Sequence, residues 1–181
     1  GDTPIEDAID ASSSGDVISI GAGTYTEGRL DINHALTLNG AGRTDVTINS
    51  TSSDVGLNVS ANNVGLNGLT LTNAGTYGIK VQPGVSLFSL SEVGVSGTGK
   101  SAVDLNGVSN ATLSDLHLSS AVDGFGLALA SCANVTVNGL VTSNNAWGAA
   151  GVMPAATQYQ NAIEAPTGIV FAGTLNLEAG D

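Results

Sequence analysis

A short pattern returns four times through the middle of the 181-residue chain and limits what the chain can fold into. Its first half reads small–apolar–x–apolar: Gly56-Leu57-Asn58-Val59, Gly78-Ile79-Lys80-Val81, Ala102-Val103-Asp104-Leu105 and Gly126-Leu127-Ala128-Leu129. The spacings are 22 (79−57), 24 (103−79) and 24 (127−103). Its second half reads apolar–x–apolar–x–x–apolar–x–apolar, from Val64, Leu66, Leu69 and Leu71 to Val135, Val137, Leu140 and Thr142. Both halves keep one period, and a fixed period in the twenties marks a stacked solenoid.

Apolar and polar residues alternate inside each run, which is strand periodicity. The runs are rich in Val, Leu and Ile and bounded by Gly, Asn and Ser. Nothing between Gly56 and Asn145 leaves room for a helix in each repeat, and no leucine-rich signature recurs. A coil of 22–24 residues with two or three short strands fits a parallel β-helix, with coils stacked about 4.8 Å apart. Leu57, Ile79, Val103 and Leu127 are expected to form one buried column, and Leu66, Leu90, Leu113 and Val137 another. The length allows about seven coils in one unit, residues 1–181. Regular coils are expected over 16–146 and a looser coil and loop over 147–181.

Lys plus Arg number 4 against 16 Asp plus Glu, a formal net charge of −12. This argues against nucleic acid, which binds through cationic phosphate contacts, and against an anionic membrane surface. It also disfavours an unassisted anionic polysaccharide. The lone Cys132 excludes an intrachain disulfide and reads as a small residue in a turn. No apolar run is long enough to span a membrane. The start at Gly1-Asp2-Thr3-Pro4 and the end at Asp181 without an evident cap suggest a module of a larger exported protein, on a cell surface, in the extracellular space or on a phage particle. A neighbouring domain or subunit would then continue at the C-terminal end.

Thr3-Pro4-Ile5-Glu6 reads as a helix start, with Thr3 as cap, Pro4 in the first turn and Glu6 closing a capping box. The helix is expected over about 4–13, covering the open edge of the first coil with Ile5, Ala8 and Ile9. Strands follow at Asp16–Ile20, Leu30–Ile32, Leu36–Leu38 and Val46–Ile48, with a turn over Gly21–Tyr25. The run Ile-Glu-Asp-Ala-Ile-Asp, Gly-Asp-Val-Ile-Ser-Ile, Gly-Thr-Tyr-Thr-Glu and Leu-Thr-Leu-Asn-Gly-Ala-Gly, within Ile5–Gly42, resembles the N-terminal start of pectin-lyase-like β-helix proteins. The resemblance implies an all-β, right-handed, single-stranded parallel β-helix with a short N-terminal cap helix. It says little about activity, because that superfamily holds lyases, hydrolases, esterases, tailspikes and non-catalytic surface proteins.

The family's catalytic motifs are missing. No Asn-Thr-Asp, Gly-His-Gly or Arg-Ile-Lys of the polygalacturonases occurs. Gly23-Thr24-Tyr25-Thr26-Glu27 matches a pectin methylesterase motif whose downstream aspartate and arginine motifs are absent. Arg29 and Arg43 lie far along the chain from the carboxylates that a calcium-dependent lyase would need beside them. The candidates that coil alignment offers are Lys80 and Asp104, on adjacent coils of the first strand, and Glu92 and Asp115, one coil apart in the second, with His117 two residues on. Paired carboxylates can shift one pKa for acid–base work or bind a hard cation such as Ca2+; an exposed Lys–Asp pair is otherwise worth under about 1 kcal/mol. No metal site is assigned and no cofactor is required.

Two further columns stand out. Asn63, Asn110 and Asn134 recur at one turn, with Leu87 interrupting, and read as a stacked amide ladder. Tyr77, Ser101, Phe125 and Trp147 each precede the small residue that opens a coil. Strict alternation from Ile79 and Val81 would turn them into the core. If the strand begins only after the small residue, they line a groove for sugar rings, with Tyr159 as a further candidate in the loop. The favoured reading is a non-catalytic module for glycan binding, adhesion or assembly, its partner a polysaccharide or cell-surface glycan. The alternative is a polysaccharide lyase or hydrolase using Lys80, Asp104, Glu92, Asp115 and His117.

Overall fold

The computed structural model describes residues 3–148, 150–153 and 169–177. After one helix, α1 (Pro4–Ala11), the chain forms parallel strands alone. The first coils hold β1 (Asp16–Ile20), β2 (Gly23–Glu27), β3 (Leu30–Ile32), β4 (Leu36–Gly40), β5 (Val46–Ser50) and β6 (Leu57–Val59). Regular coils then alternate a long strand with a short one. These are β7 (Val64–Thr72), β8 (Ile79–Val81), β9 (Phe88–Thr98), β10 (Val103–Asn106), β11 (Ser109–Ala121), β12 (Leu127–Ala130), β13 (Ala133–Ser143), β14 (Ala150–Met153) and β15 (Ile169–Leu177).

One sheet has nine strands and runs β1-β4-β7-β9-β11-β13-β15, with β2 and β5 at its side; the other has six, β3-β6-β8-β10-β12-β14. This is a parallel β-solenoid of about five turns. The helix adds no rung, the second coil takes 28 residues (Leu36 to its partner Val64), and 34 residues separate Val135 from its partner Ile169. The expected turn at Gly21–Tyr25 is shorter, because Gly23 already enters β2 and pairs with Val46. Of the looser coil and loop expected over 147–181, residues 154–168, and with them Tyr159, lie outside the described residues.

The registers are those of the repeat. Leu57 pairs with Ile79, Ile79 with Val103 and Val103 with Leu127. Leu66, Leu90, Leu113 and Val137 form the second column. Every one of these eight side chains is buried. Side chains two apart face the same way along a strand, so stacked coils extend each apolar position into a column.

What bends the strands into coils is a set of left-handed residues recurring at the coil period. One corner holds Asn63, Leu87, Asn110 and Asn134, with φ of 57°, 59°, 54° and 54°. A second holds Gly68, Glu92, Asp115 and Gly139, at 62°, 54°, 50° and 81°. A third holds Asn73, Gly97, Ser120 and Asn144, at 63°, 68°, 58° and 56°. Gly and Asn tolerate this conformation best, which explains their abundance at these places. The second corner is the x–x step of the sequence pattern: the residue there has no ladder partner, and alternation restarts beyond it. Within the first corner Asn134 Nδ2 donates to Asn110 Oδ1 at 3.2 Å, the amide ladder expected there. Leu87 breaks it and stands exposed.

Helix α1 packs on β2 and β3 through the buried Ile5 and Ile9. Its N-terminus is not held by a capping box, since Thr3 makes no side-chain cap bond. The fully buried Glu27 carboxylate takes that role, accepting from the Ile5 N–H at 3.0 Å and the Glu6 N–H at 3.3 Å. A carboxylate suits this position because the first N–H groups of a helix lack intrahelical partners and carry partial positive charge. At the other end Ser12 Oγ bonds His34 Nε2 at 2.8 Å. Glu27 of the Gly-Thr-Tyr-Thr-Glu motif thus serves the cap.

Two outcomes test this account. Val103→Asp places an unpaired charge in a fully buried column and is expected to abolish folding, seen as loss of the strand signal in circular dichroism. Leu87→Asn removes a strained, exposed leucine and restores an amide next to Asn110. It is expected to stabilise by about 1 kcal/mol, raising the melting midpoint by roughly 2–4 °C in a chain of this size.

Candidate functional site

The short strands β8, β10 and β12 begin only after the small residues Gly78, Ala102 and Gly126. A Cβ on Gly78 would overlap Val95 Cγ1 and the Ala102 carbonyl, so no larger residue fits there. The residue before each small residue therefore lies outside the strand and is not turned into the core. Tyr77 and Phe125 are half-buried and Trp147 is 42% exposed, so these three side chains are not fully buried in the core, as strict alternation would have had them. Only Ser101 is buried, where its Oγ accepts from the Phe125 N–H at 3.1 Å.

Backbone bonds stack these turns one coil apart. The Lys100 N–H donates to Thr76 O, the Ala102 N–H to Phe125 O and the Trp147 N–H to Gly124 O. Trp147 meets Phe125 edge to face, centroids 5.5 Å apart at 82°. Tyr77, Lys100, Ser101, Asp123 and Trp147 line a shallow cleft of about 100 Å³. Pockets that engulf a small molecule run to about 300–1,000 Å³. This one takes a single group and leaves the rest of a chain-like ligand outside.

Lys80 Nζ lies 4.6 Å from the Tyr77 ring centroid and Lys100 Nζ 5.7 Å from it. These are the only two lysines of the chain. A cation over an exposed aromatic face contributes about 0.5–1 kcal/mol. Asp104 pairs in register with Lys80, as the alignment requires, but it is 8% exposed and does not form the solvated pair expected. Its carboxylate makes no ion pair, the one salt bridge among the described residues being Arg29–Asp31 at 2.8 Å. Burial pushes the Asp104 pKa up, and the charges of Lys80 and Lys100 offset part of that rise.

Glu92, Asp115 and His117 are on the other, nine-stranded sheet. Glu92 and Asp115 occupy one left-handed corner on successive coils, exposed to solvent. Arg43 reaches across to them, its Nη1 donating to the Asp115 carbonyl at 2.9 Å. The His117 pKa is lowered by partial burial and by Arg43, against an opposing pull from Asp115, so the ring is neutral at pH 7. The structure thus brings together Lys80 with Asp104, and Glu92 with Asp115 and His117, but keeps the two groups on separate sheets. Among the described residues no three of His, Cys, Asp and Glu gather as metal ligands. Cys132 is buried in its turn, its thiol pKa raised by burial.

Lys100 and Asp123 were not among the candidates from sequence. The available signal was their place beside Ser101 and Phe125 in the column. Asp104 provides a test of the electrostatics here. Its folded pKa is raised, so the folded state binds the proton more tightly than the unfolded chain. Stability falls as pH rises from the unfolded value, about 3.9, through the folded one. Asp104→Asn is therefore expected to raise the melting midpoint at pH 7 and to leave it nearly unchanged below pH 3.5, as thermal melts across pH would record.

No protein-family model matches the sequence, and no curated protein matches it. Among solved structures it resembles ORF18 of Geobacillus virus E2, with a TM-score of 0.66 at 17% identity. The likeness covers 76% of this chain and 32% of the viral one, so the chain spans about a third of that protein's length. At this identity the likeness establishes a shared parallel β-solenoid fold.

Proposed function

We propose that the chain is a non-catalytic solenoid module that holds a glycan along the turns preceding its short strands. It would act at a cell surface, in the extracellular space or on a virus particle. The observation that carries this reading is the run of Tyr77, Phe125 and Trp147 kept out of the core on a stack of coils. Aromatic faces at a shallow cleft suit sugar rings, which present an apolar face and a polar rim. The neighbouring Ser101, Asp123 and Lys100 supply acceptors and donors for hydroxyl groups. The likeness to a viral protein supports a particle or surface setting. No helix among the described residues is long and apolar enough to cross a membrane.

One observation favours a second reading, a polysaccharide lyase or hydrolase. Asp104 is a buried carboxylate with a raised pKa next to Lys80, a pairing found where acid–base chemistry is done. Against it, the remaining candidates Glu92, Asp115 and His117 are on the other sheet. A glycan array beside an activity screen separates the two. Binding without turnover, weakened about fivefold by Trp147→Ala, is expected, since loss of ring stacking costs roughly 1 kcal/mol. Polysaccharide turnover abolished by Asp104→Ala would put the enzyme first.

A further inference from the structure

The lysines give the cleft a polarity that the net charge of the chain conceals. Of its four cationic residues, Lys80 and Lys100 converge on one tyrosine ring, and both belong to the turns at the Tyr77 end. Phe125 and Trp147 lie on the following turns, with Trp147 three rungs from Tyr77, about 14 Å at the usual strand spacing. Asp123 lines the cleft on the coil between those of Lys100 and Trp147. Beside the lysines, Asp104 is buried and makes no ion pair among the described residues; burial raises its pKa and the two lysine charges offset part of that rise. Two of the four cations of a protein of charge −12 thus gather at this end, with Asp104 buried beside Lys80 and Asp54, which accepts from Thr76 Oγ1, on the preceding turn.

Resting on the glycan-binding reading, we infer that the cleft selects a sparsely charged acidic glycan, seating one anionic substituent, carboxylate or sulfate, between Lys80 and Lys100 while neutral rings run along Phe125 and Trp147. Direct ammonium–anion contact acts well inside the screening length, about 8 Å at physiological salt, so it outweighs the diffuse repulsion of the rest of the surface. A polymer charged on every sugar gains the same single contact. It then presses its other anions against the acidic surface and toward Asp123. One charge at the lysine end is the arrangement that fits both facts.

The test is a glycan array carrying the same backbones in four forms: neutral, singly carboxylated, singly sulfated and carboxylated on every residue. The unmodified chain is expected to bind singly anionic members at least tenfold more tightly than neutral or fully charged ones. The carboxylate and sulfate arms identify which group is taken. In the Lys80→Gln/Lys100→Gln variant that preference should shrink to within about twofold, with an unaltered strand signal in circular dichroism at the assay temperature as the folding control. Equal binding of neutral and singly charged members, or a preference that survives the double substitution, overturns the inference and leaves glycan binding standing. Tightest binding to the fully charged form overturns it as well. Absence of binding to every member overturns both.

Discussion

Every rung of this molecule depends on the one before it. A coil of some two dozen residues cannot bury its own apolar face, so stability comes from neighbours in a stack. The stack holds only if each coil bends at the same places, and left-handed residues recurring at the coil period ensure that. A corner one residue out of step would turn the next strand over and send its apolar side chains to solvent. The spacings of 24, 23 and 24 in the corner Gly68, Glu92, Asp115 and Gly139 match those of Leu66, Leu90, Leu113 and Val137, because corners and columns obey one constraint.

Within that frame, polar groups at the core's edge are satisfied by other coils. Glu27 on β2 caps α1, 22 residues away from Ile5. The buried Asn145 accepts from the Ala121 N–H at 3.1 Å and donates to Leu118 O at 3.1 Å, tying one coil to the previous one. Asn73 donates to Asn49 at 2.7 Å and Asn67 to Asn39 at 2.7 Å on the outer faces. A buried polar atom without a partner carries a penalty of about 1–3 kcal/mol. Among the described residues no fully covered side-chain nitrogen or oxygen lacks one. Asp104 is buried too, in register with Lys80.

The same geometry creates the cleft. Close packing at Gly78 requires a small residue, the strand begins after it, and Tyr77 stays outside the core. A packing constraint therefore produces a row of surface positions stacked along the axis. Those positions hold Tyr77, Ser101, Phe125 and Trp147, with Lys100 and Asp123 beside them.

The repeat made much of this legible in advance. Alternation and period together specify parallel pairing, register and both buried columns, because in a solenoid each residue's partner is one period away. The Asn corner, including its interruption at Leu87, was readable for the same reason. Local pattern could not reveal the direction of Tyr77, Phe125 and Trp147, since alternation runs on past the point where backbone crowding stops the strand. Nor could it show that Glu27 caps a helix 22 residues upstream, that Arg43 reaches Asp115, or that Lys80 and Lys100 meet at one ring. Those contacts depend on how far side chains reach across and between coils, and only the closing of the coils in three dimensions sets their distances. Sequence determined which residues stack, because stacking follows the period; tertiary structure decided which of them face water and each other, because that depends on where the backbone has room to turn.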